Sequence, residues 1–414
     1  MSAQLLTYAE ADAVVASYAR TCTATRARER IELIHAAGRV LAEPVVADND
    51  QPSFPRSTRD GFACRAVEAS AHAWLRIAGT IHAGEAPAGP LPSGAAWEIM
   101  TGAPVPEGAD AVVMVEHIEQ ERDSVRLAQP RSIASGDNVV ARGAQARRGE
   151  ELTSAGIVIG PAQIALAASC GYAHLSVFRR PRVAILTTGD ELVPVDQAPA
   201  PGQIRNSNAP MLASLVARAG GEPHVLAPVS DTAEALDEAL RTALDADLLV
   251  ISGGVSAGKF DLVEPALAHR GATFRFTGVR IQPGKPLVFG EVPRKTAPAL
   301  PFFGLPGNPI SSAATFLLFA THVLAALAGR NNGGPQFFAA QLSQATDRKA
   351  KPGLTRFLPA LCTFHRGETI PQVATIPWHG SGDLPAFARA NCFVVVPQDA
   401  GTLEAGTVVR ILMF

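Results

Sequence analysis

Short loops between residues 187 and 312 carry residue types that hold anions, bind cations or move protons. The first, TTGDEL (187–192), follows the apolar run VAIL and contains Thr188, Gly189, Asp190 and Glu191. Adjacent carboxylates at a strand end suit cation binding or proton transfer, and equally serve as solvated loop acids. The second, GGVSAGKFD (253–261), follows DLLVIS. Gly253 and Gly254 let the backbone approach a ligand closely, and the amides through Ser256 and Gly258 can cradle an anion. Its G-x-x-x-x-G-K spacing opens like a nucleotide P-loop, but Phe260 stands where a magnesium-binding hydroxyl is needed. A phosphate or diphosphate cradle with Asp261 beside it fits better than nucleoside-triphosphate hydrolysis.

The third loop, GLPGNPISS (304–312), opens a long apolar stretch with Pro306, Gly307 and Asn308. Its exposed amides form an anion site at a helix start; the competing reading is a plain helix N-cap with Pro309 in the first turn. Between these loops, QPGKP (282–286) holds Lys285 on a stiff turn through Pro283 and Gly284, a good place for a fixed positive charge. Asp231, in PVSDT, ends another apolar run and reads first as the cap of the helix that follows.

Positioning these loops requires a sheet. Residues 181–330 alternate strand-like runs (VAILTT, PHVLAPV, DLLVIS) with helical ones (NAPMLASLVARAG, TAEALDEALRTAL). That alternation implies βαβ units and a parallel or mixed sheet flanked by helices. Right-handed crossovers then gather the strand-to-helix loops at the carboxyl edge, where such sheets bind ligands. Upstream, residues 1–48 with 150–180 read as a helical linker domain, the first forty residues suggesting two amphipathic helices and Gly171 a C-cap. Residues 49–149 read as a β-rich module, and 331–414 as a C-terminal β-barrel domain. The expected fold class is thus multidomain α/β plus β.

Composition limits the rest. At 414 residues, with 47% hydrophobic and 18% charged, the chain is globular and too long for one core. A net charge of −2 offers no whole-chain attraction for nucleic acid or an anionic membrane. The start resembles no secretion signal, and the apolar stretch 310–328 is broken by Ser, Thr and His, reading as a buried helix rather than a membrane span. The chain is therefore expected to be soluble and cytoplasmic. The five cysteines lie far apart without a CxxC pair, which favours reduced core thiols over disulfides or a zinc site.

TTGDEL, GGVSAGKFD, QPGKP and GLPGNP, in this order and spacing, resemble the molybdopterin-binding fold shared by an adenylyltransferase and a molybdotransferase. Two further segments favour the latter. PSFPRSTRDGFACRA (52–66) resembles the S-x-x-D-G-[YF]-A signature of the molybdopterin molybdotransferase family, with Asp60 as its acid, and IMTGAPVPEGADAVVMVEH (99–117) resembles a second signature. GSGDLPAFARAN (380–391) resembles a barrel segment carrying Ser381 and Asn391.

The resemblance implies a homodimer whose site lies between the sheet domain of one subunit and the β-rich module of the other. It also implies insertion of molybdate into the dithiolene of adenylated molybdopterin, with Mg2+ or another divalent ion assisting AMP release. Asp60, Glu191, Asp231, Asp261 and Lys285 are then the catalytic candidates, the four acids also the metal candidates. Thr188, Gly189, Asp190, Gly253, Gly254, Ser256, Gly258, Pro283, Gly284, Pro306, Gly307, Asn308 and Ser381 are the substrate-binding candidates. Molybdopterin adenylyltransferase and molybdoenzyme acceptors are the implied partners.

Two departures accompany the resemblance. Many members have lysine where Gln282 stands, and commonly an acid where ARGAQARRGEEL brings Ala144 and Gln145. Either Glu150 or Glu151 substitutes, or the position is dispensable, or this copy is altered in rate. The alternative functions are adenylyl transfer to molybdopterin and a molybdopterin-binding scaffold.

Overall fold

A computed structural model describes residues 5–22, 27–255, 262–346, 353–364 and 366–414. Its centre is a six-stranded mixed sheet in the order Glu222–Val225, Arg182–Thr187, Leu248–Ser252, Leu300–Leu305, Val288–Val292, Thr273–Thr277. The first four strands are parallel and the last two pair antiparallel. The inner strands are buried at every position because both faces are covered. Val183, Ile185, Leu248 and Val250 pack on one face, and Ala184, Leu186, Leu249 and Ile251 on the other. This is the period-2 alternation of a strand.

Helices Asn208–Arg218 and Pro309–Leu327 cover the first face, and Ala233–Ala243 with Val263–His269 the second. Pro309–Leu327 is long and apolar enough to cross a membrane, yet 72% of its most apolar window is buried inside the protein. It fits as the core helix the sequence implied. It is not uniform: Phe316–Ala320 forms a π turn between two α segments.

The N-terminal region departs from the expected pair of helices. One helix, Tyr8–Thr21, is closed by a Thr7–Glu10 capping box. The strand Arg28–Glu32 and a short 3-10 turn, Leu33–His35, follow it. Charged residues alternate along Arg28–Glu32, and its pairing with His174–Phe178 overrides the helical spacing read from sequence. The first helix packs on the sheet domain, where Ala11, Val15 and Ala19 are buried in its core. Tyr18 packs edge-on against Phe289, and Tyr8 against Phe319. Residues 36–48 and 151–178 do share a separate small core around Leu41, Val45, Ile159 and Val177. Within it the helix Pro161–Ser169 ends at Gly171, whose φ of +79° makes the left-handed turn expected of a C-cap glycine.

The β-rich module holds a second six-stranded sheet: Ala111–Met114, Gly61–Cys64, Ala95–Ile99, Leu75–Ile81, Ser124–Leu127, Ile118–Glu121. Apolar clusters lie on either side of it. At the C-terminus, Phe337–Leu342, Thr355–Thr363, Gln372–Thr375, Cys392–Val396 and Val408–Met413 close into a five-stranded barrel, which removes exposed sheet edges. The strand Gln372–Thr375 and helix Leu384–Arg389 were not legible as elements, being too short to show a period. Ile281–Gln282 pairs with Thr355–Arg356 and ties the QPGKP turn to the barrel.

Phe289 is fully buried, stacked on Phe303 at 4.6 Å and contacted by Tyr18 and Phe276. Phe289→Ala is expected to destabilise the sheet domain by about 3–5 kcal/mol. Guanidinium unfolding followed by circular dichroism checks this; an unchanged midpoint refutes the packing.

Candidate functional site

The candidate site grows from chain topology. From Arg182–Thr187 the chain moves to Glu222–Val225 on one side, then crosses to Leu248–Ser252 on the other. That reversal opens a crevice at the carboxyl ends, the place where open α/β sheets bind ligands. The TTGDEL, GGVSAGKFD and GLPGNP loops leave three neighbouring strands there. Antiparallel pairing of Val288 with Gly304 brings the QPGKP turn to the same edge.

The ladder continues past the strand ends. Thr188 N donates to Ser252 O at 3.1 Å, and Gly253 N to Leu305 O at 3.1 Å. Gly253 is obligatory by conformation and by space: its φ is +100°, and a Cβ would sit 2.6 Å from Thr188 O. Gly254 also has a positive φ, +63°. Ser256, Gly258, Lys259, Phe260 and Asp261 lie outside the described residues. The start of the proposed cradle is therefore in place beside TTGDEL.

Sequence reading missed a brace across these loops. Asn208 Nδ2 donates to Ser252 Oγ at 2.9 Å and to Gly307 O at 2.6 Å. Ser252 Oγ lies 3.4 Å from Ser312 Oγ and donates to Pro306 O at 3.4 Å. The only signal was Ser252, a polar residue ending the apolar run DLLVIS. Asn308 occupies the N-cap position of the core helix with Pro309 in its first turn, but its side chain makes no capping bond. Instead Ile310 N donates to the backbone oxygen of Ser381 at 3.0 Å. The barrel segment GSGDLPAFARAN thus touches the helix start, and Asp383 caps its short helix through Ala386 N.

Asp190, Glu191 and Asp231 gather at the first loop. Gly189 N donates to Val229 O, and Asp231 N to Asp190 Oδ1 at 3.1 Å. Asp231 does not cap the following helix; Thr232 does, accepting from Ala235 N. Burial first, then the charges of Asp190 and Glu191, push the Asp231 carboxyl above its ordinary range. The Asp190 backbone and nearby Thr188 hydroxyl oppose this shift. That hydroxyl is buried without a well-formed hydrogen bond. Among the described residues no three or more His, Cys, Asp and Glu side chains are arranged to hold a metal ion. Of the proposed metal set, Glu191 and Asp231 share this loop, Asp60 stands in the β-rich module, and Asp261 lies outside the described residues. Lys285 is exposed on its turn, where its carbonyl accepts from Val279 N at 2.9 Å.

Asp60 lies elsewhere, at the start of the strand Gly61–Cys64 in the β-rich module. Pairing of Gly61 with Ile99 sets it beside Thr101. Thr101 N and Oγ1 both donate to Asp60 Oδ1, at 2.6 and 2.8 Å, and these bonds hold the carboxyl below the usual range. A Cβ at Gly61 would collide with the Val113 carbonyl, which explains the glycine after the acid. The two signatures recognised in sequence thus meet, with Thr101 as the unanticipated partner. Among the described residues, the hydrogen bonds and ion pairs of 52–145 stay within the N-terminal region. Glu150 accepts from Arg147 N within its own turn, and Glu151 lies in the strand Glu151–Thr153. Gln145 is exposed on its own turn.

Three family models match in chain order: the MoeA N-terminal region, domains I and II, over 6–171; a probable molybdopterin-binding domain over 184–326; and the MoeA C-terminal region, domain IV, over 341–414. A molybdopterin molybdenumtransferase from a Nostoc species is 36% identical over 93% of this chain and 88% of its own length. One from Bacillus subtilis is 33% identical over 93% and 89%. Among solved structures, a molybdopterin biosynthesis moeA protein of Pyrococcus horikoshii superposes with TM-score 0.82 at 28% identity, covering 99% of this chain and 100% of that one. Ordered signatures, three consecutive domain matches and identity along nearly the whole length agree: the chain belongs to the MoeA family of molybdopterin molybdenumtransferases, enzymes of molybdenum-cofactor biosynthesis.

Proposed function

We propose that this transferase takes adenylated molybdopterin and molybdate as substrates, cleaves the phosphoanhydride with Mg2+ assistance, and releases AMP as molybdenum enters the dithiolene. The observation that carries this reading is the convergence of Gly253, Gly307 and the Asp190–Glu191–Asp231 acids at one carboxyl edge. Backbone amides and Lys285 bind the phosphates, and Asn308, free of a capping bond, is available to a heterocycle. Ser381 stands at the same helix start as a neutral donor for an oxyanion.

The acids fit a divalent ion in chemistry though not as a closed cage. Mg2+ commonly takes one or two carboxylates together with substrate phosphates. Crowding that raises the Asp231 carboxyl is what a bound cation relieves. When bound, the ion supplies Lewis-acid stabilisation of charge on the phosphoanhydride oxygens. Asp231 is placed either to help hold that ion or to accept a proton from the attacking oxygen. Soluble expression in the cytoplasm follows for an enzyme whose substrate is a labile intracellular intermediate. Transfer from the adenylyltransferase and to molybdoenzyme acceptors follows from that same lability.

The site is completed in a homodimer, where Asp60 of one subunit faces the acids of the other. Its separation from the sheet domain within one chain supports that arrangement. Gln145 is read as tolerated because Asp60, Asp190, Glu191 and Asp231 are all retained.

Purified protein given adenylated molybdopterin and Mg2+ is expected to release AMP only when molybdate is added. Asp60→Asn should slow that release by roughly 10²–10⁴-fold; molybdate-independent release, or tight binding with none, overturns the reading. Mixing inactive Asp60→Asn and Asp231→Asn subunits should recover about a quarter of wild-type activity, because random pairing leaves one intact site in half the dimers. No recovery after subunit exchange excludes a site shared between chains. In a third test, Thr101→Ala removes a donor that stabilises ionised Asp60. The folded pKa then rises, and activity is lost at higher pH on the acid side than in wild type. An unmoved acid limb shows that Asp60 need not be ionised.

A further inference from the structure

We propose that a cleft between the sheet domain and the C-terminal barrel binds a small organic anion, with Arg218 and Arg330 holding its phosphate or carboxylate head. The cleft encloses about 270 Å³. Arg218, Arg330, Asn332 and Gln336 supply its polar lining, and Leu317 and Phe414 part of its apolar wall.

Charge is the first argument. No lining side chain is acidic, and neither guanidinium forms an ion pair among the described residues. Arg330 is half-buried, its Nε is shut off from solvent without a hydrogen-bond partner, and burial lowers its pKa from the ordinary arginine value. A half-buried guanidinium without an ion-pair partner keeps its terminal nitrogens free to hold an anion. Gly220 makes room for this arginine: a Cβ there would stand 3.0 Å from Arg330 Nη2.

A purely structural role explains less. Arg218 and Arg330 stand at the C-terminal ends of Asn208–Arg218 and Pro309–Leu327, where a cation complements the helix dipole. That accounts for positive charge but not for an arginine whose guanidinium bonds no terminal carbonyl. The π turn Phe316–Ala320 supplies a second observation. It brings Leu317 and Thr321 to the cleft, and Thr321 Oγ1 satisfies the Leu317 carbonyl at 2.9 Å. Such insertions in a helix often accompany binding sites.

The cleft is not the substrate site. Both helices begin at the carboxyl-edge loops, at Asn208 and Pro309, and end here. With 11 and 19 residues, they separate the two places by about 16 and 28 Å at 1.5 Å per residue. The mixed lining favours an anion with a flat or aliphatic body over a bare inorganic ion.

Titration calorimetry on the whole protein, with phenyl phosphate, phenylacetate and inorganic phosphate, tests the proposal. Saturable binding is expected for one of the two organic anions, tighter than for inorganic phosphate; which binds better identifies the head group. Arg330→Gln should weaken it roughly tenfold or more, with Arg330→Lys intermediate because charge is kept and the planar fork lost. Should Arg330→Gln fail to fold, the exposed Arg218→Gln carries the same expectation. Lys285→Ala, at the opposite helix ends, should leave binding unchanged. Absence of saturable binding by all three probes overturns the proposal. So does binding lost in Lys285→Ala but kept in both arginine variants.

Discussion

Everything at the candidate site depends on the parallel ladder continuing beyond its strands. The bonds from Thr188 N to Ser252 O and from Gly253 N to Leu305 O lock three successive loops together at the point where strand order reverses. Each loop alone is an ordinary turn. Joined by main-chain bonds, they form one rim of amides, prolines and acids, and Asn208 ties the outer loop to the middle one. Because backbone groups make the ladder, its geometry is insensitive to most side-chain changes; Gly253 is the exception, since any Cβ there meets the Thr188 carbonyl.

Electrostatics then separates the acids by surroundings. Asp231 is pushed towards its neutral form by burial and two neighbouring carboxylates, whereas Asp60 is drawn towards its ionised form by Thr101. Carboxyl groups whose surroundings drive their pKa values apart are a common basis for dividing acid, base and metal-binding work. Here the division coincides with a division of the chain. The β-rich module and the sheet domain have separate apolar cores, so each acid is shaped by its own packing.

The core helix Pro309–Leu327 links the parts. Its first turn meets the barrel at Ser381, its middle packs against the N-terminal helix, and its end approaches the linker where Asn331 Nδ2 donates to Ala155 O at 2.8 Å. Asp12 and His322 add a polar contact at 2.9 Å between the N-terminal and core helices. An apolar helix of this length needs cover on all sides. Sheet, barrel and first helix provide it, which explains why the Tyr8–Thr21 helix joins this domain rather than its neighbours in sequence.

Amino-acid order alone determined the domain class, the strands VAILTT and DLLVIS, the buried core helix and the identity of the motif-bearing loops. These depend on local period, turn chemistry and ordered signatures, which survive without coordinates. Only tertiary structure decided that Arg28–Glu32 is a strand, that Thr232 rather than Asp231 caps its helix, and that Glu150 is spent on its own turn. It also decided that Thr101 holds Asp60 and that Asn208 braces Gly307. The physical reason is common to all of these. Each is a contest between near-equal options, settled either by side-chain geometry within one turn, as at Thr232 and Glu150, or by a partner distant in sequence, and neither leaves a periodic trace in the chain itself.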